Sequence, residues 1–210
     1  MQLLGSLEIK SKEKIKEFLN SESTGRVASI DDSGFPQIIP MNFVFLNDVI
    51  YMHSHIRGEK LENIKKNEKV GFEVDRNLEF LPSYFSDPKD ASLADTLYIS
   101  VVIKGKGIIV IDNDEKTLAL NELMTKYQPE GGYEPINPQM DVLNEVTVIK
   151  ITPDSIRGKY KIGQNLKNDA KIELARKIFE RNSSTSRKTL EIMGFSISEN
   201  GISLEKDVKW

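Results

Sequence analysis

Eight consecutive residues concentrate the polar chemistry of this 210-residue chain, in the order His53-Ser54-His55-Ile56-Arg57-Gly58-Glu59-Lys60. Both histidines of the sequence lie there. A strand through this segment places His53 and His55 on one face and Ser54 on the other. A helix that starts near Gly58 presents amide N–H groups that attract anions, and Lys60 in its first turn opposes the helix dipole unless an anion is bound. The pattern therefore predicts a phosphate site, with Arg57 on the face of the two histidines.

Two other interpretations of the same segment stay open. The strand can simply end in polar residues on a solvated rim. A His-x-His metal site would need carboxylates to complete its ligand shell, because the sequence holds only two imidazoles and no cysteine. On that ligand count we expect no metal.

A second candidate lies in the apolar run Pro40-Met41-Asn42-Phe43-Val44. Proline cannot donate to a β-ladder, so Pro40 predicts an edge, a bulge or a bend. Backbone groups left unpaired by such a break can hydrogen-bond the rim of a flat heteroaromatic ring, and apolar side chains around it suit a flavin. The alternative is a buried strand with one tolerated asparagine.

The elements around these segments are strands joined by short turns. This alternation predicts a mainly β fold, an antiparallel barrel or sandwich with peripheral helices. Strand signals cover residues 26–30, 36–46, 49–55, 69–74, 97–111 and 145–152, and residues 76–95 are predicted to be irregular. Helices are predicted over 11–20, over 58–67 with Leu61 and Ile64 inward, and from residue 168 onward. Another helix is predicted after Asp112, which with Glu115 resembles a capping box, and Tyr127 lies in its apolar stripe. Asn47-Asp48 is predicted to close a hairpin. We expect residues 1–165 to form the main domain and residues 166–210 a helical extension packed on it.

Composition and charge exclude several classes of protein. The formal net charge of −3 disfavours a nucleic-acid binder, which needs a basic face. No apolar run is long enough to cross a bilayer, and the start, MQLLGSLEIKSKEK, lacks the pattern of a signal peptide. We therefore expect a soluble, cytoplasmic protein without a membrane partner. The sequence contains no P-loop, no dinucleotide-binding glycine motif and no Gly-x-Ser-x-Gly elbow.

A series of short motifs adds a family resemblance. In order they are Gly25-Arg26-Val27-Ala28-Ser29-Ile30, Gly34-Phe35-Pro36, Ile39-Pro40-Met41-Asn42-Phe43, Ile50-Tyr51-Met52-His53-Ser54, Gly58-x-Lys60-Leu61, Asn67-x-x-Val70 and Ser100-Val101-Val102-x-x-Gly105. Together they resemble the pyridoxamine-phosphate-oxidase-like FMN-binding split barrels, and most closely the branch of nitroimidazole-resistance flavoproteins. The segment 158–165 is also similar to a stretch in FMN-binding regulators of the same superfamily.

The resemblance implies a six-stranded split barrel that forms a homodimer, with FMN at the subunit interface. The ring-binding strand of the family falls on Pro40, Met41, Asn42, Phe43 and Val44. Contacts to the ring and phosphate fall on His53 and Ser54, the basic phosphate contact on Lys60, and a polar flavin contact on Ser100. His55, Arg57 and Gly58 complete the predicted cofactor site, and His53 is the candidate catalytic proton donor.

Two departures from the family limit the predicted activity. Glu59 stands where the oxidases have a phosphate-binding arginine, a role that Arg57 or His55 can take over. The C-terminal Arg-Leu-x-Pro signature of the oxidases is absent, which argues against oxidation of pyridoxamine phosphate. We expect an FMN-dependent oxidoreductase that passes electrons from a reduced nicotinamide, NAD(P)H, to a small electrophile such as a nitro-heteroaromatic compound. The alternatives are a non-catalytic flavin-binding or regulatory protein, or a split barrel that binds haem or a deazaflavin, with His53 or His55 as an axial haem ligand.

Overall fold

The computed structural model describes residues 5–198 and 201–205, so the predicted domain limits at residues 1 and 210 lie outside the described residues. The strands are β1 (Glu8–Ile9), β2 (Gly25–Ile30), β3 (Pro36–Met41), β4 (Val44–Leu46), β5 (Val49–His55), β6 (Lys69–Leu81), β7 (Asp95–Ile109), β8 (Val146–Lys161), β9 (Phe195–Ser198) and β10 (Gly201–Leu204). The α-helices are α1 (Lys12–Ser21), α2 (Glu59–Lys66), α3 (Asn113–Tyr127), α4 (Asn168–Arg181) and α5 (Ser186–Met193). None of the helices in this part of the chain is long and apolar enough to cross a membrane.

The main sheet has eight strands and an open order, β3-β2-β6-β7-β8-β5-β4, with β1 paired to β8. The predicted mainly β fold is confirmed. Six strands become eight because residues 42–43 separate β3 from β4 and because β1 adds to β8. The β4–β5 hairpin turns at Asn47 and Asp48, both with positive φ, as tight hairpin turns require.

Two strands run well beyond their predicted ends, and both errors have the same origin. The strand predicted over 69–74 continues to Leu81, and the strand predicted over 145–152 continues to Lys161. The prediction that residues 76–95 are irregular is therefore wrong up to residue 81. Both extensions contain residues of low β-propensity, such as Asn77 and Asp154. The sheet overrides these local preferences.

The chain forms two compact units that share the long strands β6, β7 and β8. Unit one comprises residues 5–14 and 75–100 and the described residues from 158 onward, and unit two comprises residues 15–74 and 101–157. The predicted domain boundary at residue 165 stays a prediction.

One buried apolar core of unit two lies between α3 and the β4–β5 hairpin. The buried residues of this core are Val44, Tyr51, Val110, Ala119, Leu120, Leu123, Leu143 and Val148. Asp112 caps α3, because its carboxylate accepts the N–H of Glu115 at 2.8 Å, as predicted. The Glu115 carboxylate instead accepts hydrogen bonds from Tyr51 and Lys150, both at 2.7 Å. The bonds from Lys150 and Tyr51 lower the pKa of Glu115. They also connect the start of α3 to β8 and β5.

Unit one contains α4 and α5 and ends in a two-stranded hairpin of β9 and β10, so the extension predicted as helical also contains strands. The turn between the helices is anchored on Glu79, whose buried carboxylate accepts bonds from Arg181 at 2.9 Å and Thr185 at 2.6 Å. The segment 158–165 also has a structural role here. Gln164 donates to the Ser6 and Tyr160 carbonyls at 2.9 and 3.0 Å and accepts the N–H of Ile162.

Candidate functional site

The apolar run of the predicted ring site is broken at Asn42 and Phe43, two residues after Pro40. Strand β3 continues through Pro40, which lies opposite Arg26 of β2. Since β3 is an edge strand of the sheet, a proline is tolerated there. The prediction of an edge at Pro40 is confirmed, and the break in the chain comes after it.

Tyr127, the last residue of α3, holds the backbone at this break. Its hydroxyl accepts the N–H of Phe43 at 2.9 Å and lies 3.1 Å from the carbonyl oxygen of the same residue. It also donates to the carbonyl of Ser23 at 2.5 Å. The expectation that the break leaves backbone groups unpaired is therefore wrong at Phe43. The sequence places Tyr127 only in the apolar stripe of α3, and no pattern in it indicates this hydroxyl contact.

The five predicted ring-site residues divide by burial. Phe43 is fully buried and packs edge-on against Phe72, with ring centroids 5.1 Å apart, and Val44 is buried in the core of unit two. Pro40 and Asn42 are exposed and Met41 is half-buried. Only these three can offer side chains to a ligand without a rearrangement of the core.

Strand β5 ends beside this break. The last pair of the β4–β5 ladder joins Val44 to Tyr51, two residues from Asn42 on one strand and two from His53 on the other. His53 and His55 are exposed and Ser54 is buried, as strand alternation predicts. The Nδ1 atom of His55 accepts the N–H of Arg57 at 3.2 Å, which helps to shape the connection to α2.

Gly58 is the residue that precedes helix α2, and its φ of 156° is readily adopted by glycine. The carbonyl of Gly58 accepts the N–H of Leu61 at 3.0 Å. No side chain caps this end of the helix. Glu59 and Glu62 lie in the first turn and complement the helix dipole, so they compete with a bound anion. Lys60, half-buried, supplies the opposing charge.

Packing fixes the position of this helix start within unit two. Leu61 and Ile64 are buried, as predicted, and Asn63 is 4% exposed. The amide of Asn63 donates to the Ser29 hydroxyl on β2 at 3.2 Å, and Lys66 pairs with Asp32 in the turn after β2. The buried face of α2 and the bond from Asn63 therefore fix this helix against β2.

The donor set at this place fits a phosphate monoester. Along residues 53–60 the chain carries the exposed His53 imidazole, the cations Arg57 and Lys60, and the uncapped amides of α2, whereas the Ser54 hydroxyl lies on the buried face of β5. Ser100, the remaining predicted contact, lies on β7 in unit one and is half-buried. No group of three or more His, Cys, Asp or Glu side chains is arranged to hold a metal ion within residues 5–198 and 201–205.

The chain is similar to a known protein family and to several solved structures. Residues 11–160 match the family described as pyridoxamine 5'-phosphate oxidase. No curated protein matches the chain significantly. A protein from Bacteroides thetaiotaomicron, proposed to confer 5-nitroimidazole antibiotic resistance, is 25% identical with a TM-score of 0.62, over 73% of this chain and 86% of that one.

Two more distant structures share the fold. The flavocytochrome Anf3 from Azotobacter vinelandii is 17% identical with a TM-score of 0.67, over 82% of this chain and 77% of that one. The FAD and heme binding protein from Mycobacterium smegmatis is 16% identical with a TM-score of 0.64, over 79% of this chain and 78% of that one. At these identities the likeness describes the split-barrel fold alone.

Proposed function

The chain belongs to the pyridoxamine 5'-phosphate oxidase family, and from that premise we propose that it is a flavin-binding oxidoreductase whose cofactor is FMN. One observation carries the proposal. The exposed His53 at the end of β5 is followed closely along the chain by Arg57 and by the uncapped start of α2, with Lys60 in its first turn. This arrangement offers a polar cradle for a phosphate and an apolar edge for a ring.

Eight residues of the predicted site have a proposed part in binding. Lys60 and Arg57, with the first amides of α2, hold the phosphate, and Ser54 donates its hydroxyl. Pro40, Met41 and Asn42 border the ring, whereas Phe43 and Val44 support this border from the core. Glu59 weakens the phosphate site relative to an arginine, because its carboxylate repels the anion.

When bound, a flavin accepts a hydride and passes electrons on to a second substrate. The chain itself must orient the two partners and move protons. His53 is exposed at the end of β5, so its imidazole is open to a small substrate there, and imidazole exchanges protons readily near neutral pH. The relative described as a 5-nitroimidazole antibiotic resistance protein supports a nitro-heteroaromatic acceptor. The proposed electron donor is a reduced nicotinamide.

We also propose a homodimer that places the cofactor at the subunit interface. Strand β3 is an edge strand, and none of its residues is buried. Large apolar side chains are exposed on and before it, with Phe35 70% and Ile38 59% exposed. A second copy that covers this surface would remove apolar area from water beside the proposed ring site.

The proposed phosphate site is tested by comparing FMN with riboflavin, which lacks the phosphate. Lys60→Ala should weaken FMN binding roughly 10- to 100-fold, the loss of one charge-assisted hydrogen bond of about 1.5–3 kcal/mol. Its affinity for riboflavin should stay unchanged. Lys65→Ala, in the exposed last turn of the same helix, is the matched control and should leave both affinities unchanged. Equal FMN affinity of Lys60→Ala and the wild-type protein would contradict this site.

Turnover separates the enzyme from a flavin-binding protein without catalysis. The FMN-loaded protein should oxidise a reduced nicotinamide faster when a nitroimidazole is present. His53→Gln should lower this rate and keep the flavin bound. A protein that binds FMN tightly and shows no acceptor-dependent oxidation with any nitro-heteroaromatic or quinone acceptor would refute the enzymatic part of the proposal.

A further inference from the structure

A polar cavity of about 280 Å³ lies in unit two, between α1, the β4–β5 turn and the last turns of α3. Its polar side chains are Lys16, Asn20, Asn47, Glu122, Thr125 and Lys126. The predicted flavin site does not use these side chains. The volume of the cavity is at the small end of the range for ligand sites, which suits a compound of a few heavy atoms.

Lys126 is the chemically unusual group in this cavity. Its Nζ atom donates to the Leu19 carbonyl at 3.2 Å and lies 3.9 Å from the centroid of the Phe43 ring. Burial lowers the pKa of Lys126 from 10.5 to about 8, and the negative charge of Glu22 offsets part of this shift. Lys16 from α1 and Glu122 from α3 are the other charged groups that line the cavity.

A neutral amine in this place is a competent nucleophile. The Leu19 carbonyl accepts one N–H of this amine, and the neutral form of the amine also carries a lone pair. Desolvated lysines with lowered proton affinity are the ones that form imines with carbonyl compounds. The geometry of the cavity supplies the second requirement, a space beside the amine that a small molecule can enter.

We propose that the cavity beside Lys126 binds short, polar aldehydes and that Lys126 joins them as an imine. The Nζ lone pair attacks the carbonyl carbon, the carbonyl oxygen takes up a proton, and the amine loses one. Loss of water then forms the C=N bond, so one water leaves for each aldehyde bound and no electrons are exchanged. Glu122 lines the same cavity and can return a proton to the departing hydroxyl. This site does not rest on the proposed flavin function.

The test uses glycolaldehyde with sodium cyanoborohydride, which reduces the imine to a stable secondary amine, followed by peptide mass spectrometry. At pH 7.4, Lys126 should be modified at least about tenfold faster than Lys65, a surface lysine on α2, because burial lowers the pKa of Lys126 to about 8. The rate at Lys126 should saturate as the aldehyde concentration rises, since binding precedes reaction.

Two variants complete the experiment. Lys126→Arg keeps the positive charge beside Phe43 and cannot form an imine, so the fast modification should vanish. Lys188→Arg, at an exposed position of α5 outside the cavity, should retain it. Modification of Lys126 no faster than that of Lys65, or a rate strictly linear in aldehyde concentration, would overturn the proposal.

Discussion

Tyr127→Phe removes a single hydroxyl from the break between β3 and β4. That hydroxyl is the partner of the Phe43 N–H at 2.9 Å and donates to the Ser23 carbonyl at 2.5 Å. Phe43 is fully buried, so its amide would lose a partner that water cannot easily replace. Ser23 is exposed, and its carbonyl can bond to solvent instead. The substitution therefore leaves one buried donor, the Phe43 N–H, without its partner.

An unsatisfied buried donor costs about 1–3 kcal/mol, and we expect Tyr127→Phe to lower the free energy of unfolding by about 2 kcal/mol. For a chain of this size that corresponds to a fall in melting temperature of roughly 4–8 °C. Hydrogen exchange resolved to single residues gives the sharper readout, because the Phe43 amide should lose protection. FMN affinity should fall as well, since the same hydroxyl holds the proposed border of the ring site.

The matched control is Tyr84→Phe, which removes the hydroxyl of a tyrosine that is 59% exposed. Its free energy of unfolding should change by less than about 0.5 kcal/mol. If Tyr127→Phe is as mild as Tyr84→Phe and the Phe43 amide keeps its protection, the account of how this break is held is refuted.

Three further predictions concern other parts of the chain. Gly105→Ala should lower the free energy of unfolding, measured by denaturant titration, by more than about 2 kcal/mol, because the new Cβ would lie 2.3 Å from a carbonyl oxygen of β8. The control Gly5→Ala places its Cβ in open space and should have little effect. Glu79→Ala should cost about 1.5–3 kcal/mol and speed limited proteolysis between α4 and α5, because Arg181 and Thr185 lose the carboxylate that accepts their hydrogen bonds. Unchanged cleavage would count against this anchor. Folding lowers the pKa of Lys126, so between about pH 8 and 10.5 the unfolded chain binds more protons and the free energy of unfolding should rise with pH. Lys126→Met should make this rise less steep. An equally steep rise in the variant would contradict the lowered pKa of Lys126.

The sequence predicted those parts of the fold that local chemistry determines. The turn at Asn47 and Asp48, the aspartate cap of α3 and the buried face of α2 follow from backbone preferences and apolar spacing. The strand ends at Leu81 and Lys161 do not, because pairing within the sheet decides them against local propensity. The hairpin of β9 and β10 is too short for a clear alternating pattern.

In the candidate site, too, local patterns predict some features, and other features depend on contacts between distant residues. Alternation along β5 correctly predicts His53 and His55 outward and Ser54 inward, because a strand has a period of two. The contact of Tyr127 with Phe43 joins residues 84 positions apart, and no short pattern encodes such a contact. For the same reason the cavity beside Lys126 appears only once α1, β4 and α3 are packed together.

The central claim is that the end of β5 and the start of α2 hold a flavin phosphate. Its most direct test is the visible absorbance spectrum of the purified protein, followed by identification of the chromophore released on heat denaturation. The account predicts a yellow protein that releases FMN. A colourless protein that takes up no FMN on reconstitution would contradict it, and a Soret band would point instead to haem at the two histidines.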